Sequence, residues 1–468
     1  MALTDGLVQR IIATSGVTCV IVGSSLSSAE YFYIQLGARD SESLLAFKRN
    51  VVDLLARAQA ARWPVRIGHR DDDAEIQNAS LQGFNISVVG HAVLDDPFSI
   101  TGSGIPAAAR VEFDAPLVNI QVTPDLVRPH WVLIDRLPTL IPAGRLRVRL
   151  TAPGFSSDWV PVDVRTSPPV PVRVLSTGQP KDRPYTIAFV ANPSIETEGG
   201  SFSADPVLTD RQTYHDVVGF CIRNLLTVTE DLLRRGDRDR EIRFVSIFDP
   251  TQASGDANAL AHEVAPNLME TRRDRLNGFL TRYSEVADVV FVMHGSTTHN
   301  RATAWYTTDE PTRPSTTFDY DGVSRVHGHF PRIPGSAAIP LDTNRAGMTP
   351  IHEFGHAGSD FDNGRVRDLY NDNTGGFAVN KKARAAVGAS IPVNFATYDG
   401  VNFTSDQNRD SIGYPATWTS YHPVLLDAGN PNMMDNYNLA PGGDPQVCRL
   451  DQLTSEWFID RIRAKLGR

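Results

Sequence analysis

Short segments that alternate apolar and polar residues run through the N-terminal third of the chain and predict β-strands. Residues 17–22 and 31–36 are rich in β-branched and aromatic side chains, which is typical of strands. Across residues 43–62 the apolar positions recur at helical spacing, and Pro64 ends that segment. Residues 1–86 are therefore predicted to form a small α/β domain.

Residues 87–165 carry further alternating segments between Gly and Pro turns, a pattern that predicts a small β-sandwich. Within them, the turn at 99–106 and the segment 144–155 resemble a bacterial Ig-like module of the IPT/TIG type. That resemblance implies a role in spacing, or in binding a protein or glycan partner. The Pro-rich stretch 166–184 predicts a linker.

From Tyr185 onward, apolar runs alternate with amphipathic segments. The runs at 185–191, 243–248 and 288–293 are nearly continuous, as expected for strands covered on both faces. Helical spacing of apolar residues predicts helices at 214–234 and 257–283. This β-α-β-α-β order predicts parallel strands joined by crossover helices, and an α/β class for this half of the chain.

Composition and charge exclude several classes of function. The 45 Lys and Arg residues against 54 Asp and Glu give a net charge of −9, which argues against nucleic-acid binding through bulk positive charge. No apolar run is long enough to span a membrane. Three widely separated cysteines indicate neither a disulfide framework nor a Cys-based zinc site. The N-terminus lacks the features of a signal peptide, so we expect a cytoplasmic protein, with secretion by a signal-independent route as the alternative.

The residues His352-Glu353-Phe354-Gly355-His356 form an H-E-x-x-H motif. On an α-helix, residues four apart share one face, so both imidazoles can bind one metal ion. Thr349 is a suitable N-cap for such a helix. The motif predicts a Zn²⁺ site with His352 and His356 as ligands and Glu353 as the general base.

A catalytic zinc ion needs a third protein ligand. Counting His352 as position one, Asp362 stands at position eleven. The pattern H-E-x-x-H-x-x-G-x-x-[HD] of the metzincin peptidases places its third ligand at that position. The chain departs from that pattern at the eighth position, which is Ser359, while Gly358 stands one residue earlier. Asp362 is therefore the first candidate, followed by Asp360 and then Asp368.

A pair of methionines, Met433 and Met434, provides a second landmark. Metzincins place a Met-containing turn beneath the zinc ion and a following tyrosine near the oxyanion. This resemblance implies that one of the two methionines forms the floor of the site. It also implies that Tyr437, or alternatively Tyr421, stabilises the tetrahedral intermediate.

Several motifs of the C-terminal half occur together. They are His-Glu-Phe-Gly-His, an acidic segment ending in Asp368-Leu-Tyr370, Tyr421-His-Pro423, Asn432-Met-Met434 and Cys448. This set resembles the IgA-peptidase family of zinc metallopeptidases over about residues 185–465, although the family's Leu-x-Asp-Glu-Tyr segment is not reproduced. The resemblance implies an α/β (α+β) zincin-like metallopeptidase domain over residues 185–468. It also implies zinc-dependent endopeptidase activity on a protein or peptide substrate.

Two other functions are open on the sequence. The two N-terminal modules suit a binding or assembly protein with an inactive or restricted peptidase domain, and a zinc amidase acting on cell-wall peptides would use the same motif. The remaining polar candidates, His294, Ser296 and His299, are interpreted as loop or substrate-cleft residues. Residues 336–341 are predicted to form an edge strand just before the motif.

Overall fold

The computed structural model describes the N-terminal two thirds of the chain nearly continuously and the remainder in short segments. The described residues are 2–14, 17–23, 29–37, 40–61, 64–70, 73–81, 86–152, 155–168, 170–178, 184–228, 240–308, 316–320, 323–327, 333–341, 349–358, 365–366, 396–398, 403–405, 420–421, 433–434, 450 and 462. The chain divides into two units, Met1–Pro168 and Pro169–Arg468, and the division lies at the start of the Pro-rich stretch.

The first unit begins with a closed five-stranded barrel in the order β1-β2-β3-β5-β4. Its elements are β1 (Ala2–Ala13), β2 (Val17–Gly23), β3 (Glu30–Gln35), α1 (Glu42–Ala61), β4 (Pro64–Arg70) and β5 (Asp73–Leu81). The barrel closes because β1 pairs with both β2 and β4. Val51, Leu55 and Ala58 share one face of α1 and pack into the apolar core together with strand residues such as Val65 and Ile67.

Two mainly antiparallel sheets follow in the same unit. Their strands are β6 (Ile86–Val89), β7 (Ala92–Val93), β8 (Phe98–Gly102), β9 (Arg110–Phe113), β10 (Ile120–Val122), β11 (Leu126–Arg128), β12 (Trp131–Ile134), β13 (Gly144–Ala152), β14 (Phe155–Ser156) and β15 (Val160–Arg165). One sheet has the order β10-β9-β13-β15-β7, with β7 parallel to β15, and the other has the order β11-β12-β8-β6. Phe98 of one sheet contacts Phe113 of the other, with ring centroids 5.6 Å apart, inside a shared apolar core.

The second unit is built on a six-stranded sheet in the order β16-β20-β17-β23-β27-β24. These strands are β16 (Val172–Val174), β17 (Tyr185–Ala191), β20 (Ile242–Ile247), β23 (Val289–His294), β24 (Thr303–Trp305) and β27 (Gly335–Pro340). Strand β17 is parallel to β20 and β23, and β23 is parallel to β27, so the parallel pairing expected for the three apolar runs is confirmed. Every residue of β17, β20 and β23 is buried.

The remaining described elements of this unit include α-helices and several short sheets. The helices are α2 (Arg211–Val228), α3 (Arg273–Arg282) and α4 (Thr349–Ala357). A four-stranded sheet contains β18 (Ser194–Glu196), β19 (Phe202–Ala204), β21 (Ala259–Ala265) and β22 (Leu268–Thr271). Short two-stranded sheets pair β25 (Thr316–Tyr320) with β26 (Val323–His327), β28 (Arg365–Val366) with β31 (Ser420–Tyr421), and β29 (Ala396–Tyr398) with β30 (Phe403–Ser405). Among the described helices, none combines the length and apolar character needed to cross a membrane.

The predicted fold class, an α/β (α+β) zincin-like metallopeptidase domain preceded by a small α/β domain and a sandwich, is wrong. Strands dominate the described part of the chain, which contains several sheets, a closed barrel and few helices. The segment 257–283, which the sequence predicts to be a helix, shows the physical reason for this error. Pro266 lies within it and cannot continue a helix, so the chain forms the hairpin β21–β22 before the shorter helix α3. The predicted edge strand is also wrong, because β27 pairs with β23 on one side and with β24 on the other.

Candidate functional site

Helix α4 carries the H-E-x-x-H motif and follows β27 along the chain. Pro350 occupies the start of the helix, where its fixed φ angle suits the first turn. Ile351 and Phe354 are fully buried, so apolar packing holds the helix in place. Its last turn closes where Gly358 N–H donates to the carbonyl of Phe354 at 2.8 Å.

The two histidines of the motif point at a common position. Nε2 of His352 and Nε2 of His356 lie 3.3 Å apart, and the ring planes are inclined at 84°. Two nitrogens that bind one tetrahedral zinc ion at about 2.05 Å lie about 3.3 Å apart. The spacing of these ring atoms therefore fits a shared metal ion.

The other ring nitrogen of His352 is held by the main chain. Nδ1 of His352 lies 2.7 Å from the carbonyl oxygen of Met433, and His352 is buried. A carbonyl can only accept, so Nδ1 carries the proton and Nε2 keeps its lone pair. Such a contact to the far nitrogen orients a metal-binding histidine.

Glu353 and the two histidines differ in their exposure to solvent. Glu353 is 6% exposed and His352 is 2% exposed, whereas His356 is only partly buried. The site therefore meets solvent on the side of His356.

Glycines allow close packing around the helix. A Cβ atom at Gly355 would overlap the sulfur of Met434, and a Cβ atom at Gly335 would overlap the carbonyl oxygen of Ala357. Thr307 Oγ1 donates to that same carbonyl at 3.0 Å. The end of α4 is thus fixed against β27 and the segment that follows β24.

The structure places only some of the predicted site residues. His352, Glu353 and His356 lie together on α4, and both Met433 and Met434 are fully buried against the helix. Asp362, the first candidate for third ligand, its alternatives Asp360 and Asp368, and Tyr437 lie outside the described residues. The backbone of Tyr421 pairs with Val366. Among the described residues, no group of three His, Cys, Asp or Glu side chains could hold a metal ion.

A buried polar cluster that the sequence did not predict lies at the carboxyl ends of β17 and β23. Asp205 Oδ1 accepts from the N–H groups of Val207 and Gly295, at 2.9 and 2.8 Å, and Asp205 Oδ2 accepts from Asn192 Nδ2 at 2.8 Å. Burial raises the pKa of Asp205 to about 6. The positions of Asn192 and Gly295 in the sequence could have indicated this cluster. Both directly follow parallel strands, and ligand-binding sites commonly form at the carboxyl ends of such strands.

His294, the last residue of β23, belongs to the same edge of the sheet. Its side chain is fully buried, and neither ring nitrogen has a hydrogen-bond partner among the described residues. Burial, together with the nearby His299, lowers the pKa of His294 to about 3. His294 is therefore neutral at physiological pH.

Comparisons with known proteins give no family for this chain. No family model matches it, and no curated protein is significantly similar to it. Among solved structures, it has a similarity to a protein assigned as carboxypeptidase A from Shewanella denitrificans OS-217, with 9% sequence identity. The match covers 56% of this chain and 84% of that chain at a TM-score of 0.17, which is too low to bear on fold or activity.

Proposed function

We propose that this chain is a zinc-dependent endopeptidase in which His352 and His356 bind Zn²⁺ and Glu353 is the general base. The observation that carries the proposal is the 3.3 Å separation of the two Nε2 atoms on a buried helix. The carbonyl of Met433 supports it, because it favours the tautomer in which Nε2 of His352 carries no proton and can bind a metal.

The residues on α4 suit the chemistry of peptide hydrolysis. When bound, zinc supplies a Lewis acid that polarises a carbonyl group and lowers the pKa of water to about 7. Glu353 follows His352 directly and is 6% exposed, so its carboxylate is shielded from bulk water. We assign it the role of accepting a proton from the attacking water and passing it to the leaving amine.

The rest of the site follows from the resemblance to metzincins and to the IgA-peptidase family. Asp362 is proposed as the third ligand, with Asp360 and Asp368 as alternatives. Tyr437, or else Tyr421, is proposed to stabilise the oxyanion. A protein or peptide is the proposed substrate.

In the metal-free chain, a hydrogen bond between the two histidines accounts for the same geometry. At 3.3 Å, a protonated Nε2 of His356 can donate to the unprotonated Nε2 of His352. Zinc binding would replace that proton. Zinc binding by these two histidines is therefore measured directly in the experiment below.

The test measures zinc and cleavage on the full chain. We expect about one zinc per chain by inductively coupled plasma mass spectrometry, and casein cleavage that 1,10-phenanthroline abolishes and added zinc restores. His356→Ala should lose both, whereas His262→Ala, a histidine on β21, should lose neither. A chain that binds no zinc and shows no chelator-sensitive cleavage would overturn the proposal. Cleavage of muropeptides without casein cleavage would replace it with an amidase.

A further inference from the structure

A second group of reactive side chains lies directly after β23. The chain leaves the sheet at His294 and continues through Gly295 and Ser296 to His299. His299 is 5% exposed, while Ser296 is half-buried and therefore reachable from solvent. This position, at the carboxyl end of a parallel strand, is one where ligands commonly bind in such sheets.

Three side chains form a continuous chain of contacts. Ser296 Oγ lies 2.7 Å from Nδ1 of His299, and Nε2 of His299 lies 3.3 Å from Oε1 of Glu263. The other carboxylate oxygen of Glu263 accepts from the N–H of Glu198 at 3.1 Å. The carboxylate is thus anchored by the main chain on one side and faces the imidazole on the other.

The carboxylate determines which ring nitrogen of His299 can act as a base. A carboxylate accepts hydrogen bonds, so it favours the tautomer with a proton on Nε2. Nδ1 then has a free lone pair directed at the hydroxyl of Ser296. Hydroxyl, imidazole and carboxylate in this order are the parts of an activated serine.

A second hydroxyl competes for the same nitrogen. Thr298 Oγ1 lies 3.0 Å from Nδ1 of His299 and 3.1 Å from Ser296 Oγ. Ser296 has the shorter contact to the imidazole, and its primary hydroxyl is less hindered than that of a threonine. Ser296 is therefore the better nucleophile of the two.

We propose that Ser296 is a nucleophile for acyl transfer from esters, with His299 as its base and Glu263 as a positioning residue. Ser296 Oγ forms a bond to the ester carbonyl carbon while its proton passes to Nδ1 of His299. The bond to the alcohol oxygen then breaks as His299 returns the proton to that oxygen. Water repeats these two steps on the acyl-serine and releases the acid. No metal takes part, so the proposal is independent of the zinc site.

A fluorophosphonate probe tests the nucleophile on the full chain, because the Oγ–P bond forms as the P–F bond breaks and the proton leaves with fluoride. We expect mass spectrometry to find the phosphonyl adduct on Ser296. Ser296→Ala should abolish it, Thr298→Ala should retain it, and His299→Gln should slow it by about 10²-fold or more. Glu263→Gln should slow it at least tenfold. The wild-type labelling rate should rise with pH, because a protonated imidazole cannot act as the base.

Controls separate this site from the zinc site and from misfolding. Labelling should be unchanged by 1,10-phenanthroline, which removes metal, so the failure of one proposal does not affect the other. Circular dichroism identifies variants that fail to fold. If a variant does not fold, the pH dependence of labelling in the wild-type chain still tests whether a base takes part. An adduct absent from Ser296, a rate within twofold of wild type in folded His299→Gln, or a rate independent of pH would each overturn the proposal.

Discussion

The carbonyl oxygen of Met433 lies 2.7 Å from Nδ1 of His352, although the two residues are 81 positions apart in the sequence. This contact joins the methionine pair to the helix that carries the motif. It also fixes the protonation of one imidazole, since the carbonyl requires a proton on Nδ1. The proposed metal site therefore depends on a tertiary contact as well as on the helix itself.

Replacing Glu353 with Gln separates metal binding from catalysis. The change keeps the shape of the side chain but removes the proton acceptor, and it leaves both Nε2 atoms in place. We expect unchanged zinc content and a fall in kcat/KM of about 10²–10⁴-fold on a quenched fluorescent peptide. Full activity in this variant would rule out Glu353 as the base.

Gly355→Ala tests the packing between α4 and the methionine pair. The added methyl group would overlap the sulfur of Met434, and overpacking of this kind costs about 1–3 kcal/mol in the free energy of unfolding. Gly278→Ala is the matched control, because a Cβ atom at that position of α3 meets nothing within 4 Å. We expect urea unfolding to show a loss for Gly355→Ala and a gain of about 0.5–1 kcal/mol for Gly278→Ala. A loss of zinc affinity should accompany only the first change, and equal effects of the two variants would contradict this account.

Local patterns in the sequence were sufficient to predict the helix of the motif and the parallel direction of three strands. The histidines stand four residues apart, Pro350 suits the first turn, and each of the three apolar runs forms a fully buried strand. These features depend on neighbouring residues and on burial. They can be recognised without knowledge of tertiary contacts.

Long-range pairing explains what the sequence did not predict. The barrel depends on β1 pairing with β4 across 50 residues or more, and no local signal specifies such a closure. Glu263 could not be matched with His299 because the spacing of apolar residues in its segment predicts a helix, whereas the segment, which contains Pro266, forms a β-hairpin. The choice among Asp362, Asp360 and Asp368 stays a prediction, since these residues lie outside the described part of the chain.

We expect the free energy of unfolding to depend strongly on a buried ion pair in the second unit. Arg243 Nη1 and Nη2 donate to the two carboxylate oxygens of Glu285 at 2.6 and 2.7 Å, and the two side chains are 1% and 7% exposed. Glu285→Gln would remove the negative charge that faces a buried guanidinium, at a cost of about 3–5 kcal/mol. Asp256→Asn is the control, because Asp256 pairs with Arg275 but is 70% exposed, and such pairs contribute about 1 kcal/mol or less. Urea unfolding of both variants measures the difference, and similar losses would show that the buried pair has no special role.

Asp205 makes part of the stability of the chain depend on pH. Burial raises the pKa of its carboxyl group to about 6 in the folded chain, against an ordinary value of 3.8. Both states bind the proton below the lower value. Between the two values the folded state binds more protons than the unfolded state, so the free energy of unfolding falls as pH rises. The contribution is nearly complete at pH 3, is lost mainly between pH 4 and pH 6, and amounts to about 3 kcal/mol when complete.

Asp205→Asn removes this titration and should therefore remove its pH dependence. The variant also incurs a constant penalty, because Asn192 Nδ2 would face an amide N–H₂ group, and Asn192 cannot turn since its Oδ1 accepts from Leu260 N–H at 3.0 Å. We expect the stability difference between wild type and Asp205→Asn to shrink by about 2 kcal/mol between pH 4 and pH 7. Urea unfolding at both pH values, followed by circular dichroism, measures this difference. Because other titrating carboxyl groups are common to both chains, they cancel in the comparison. A constant difference would mean that burial does not raise the pKa of Asp205, and a difference that grows with pH would mean that its pKa is lowered in the folded chain.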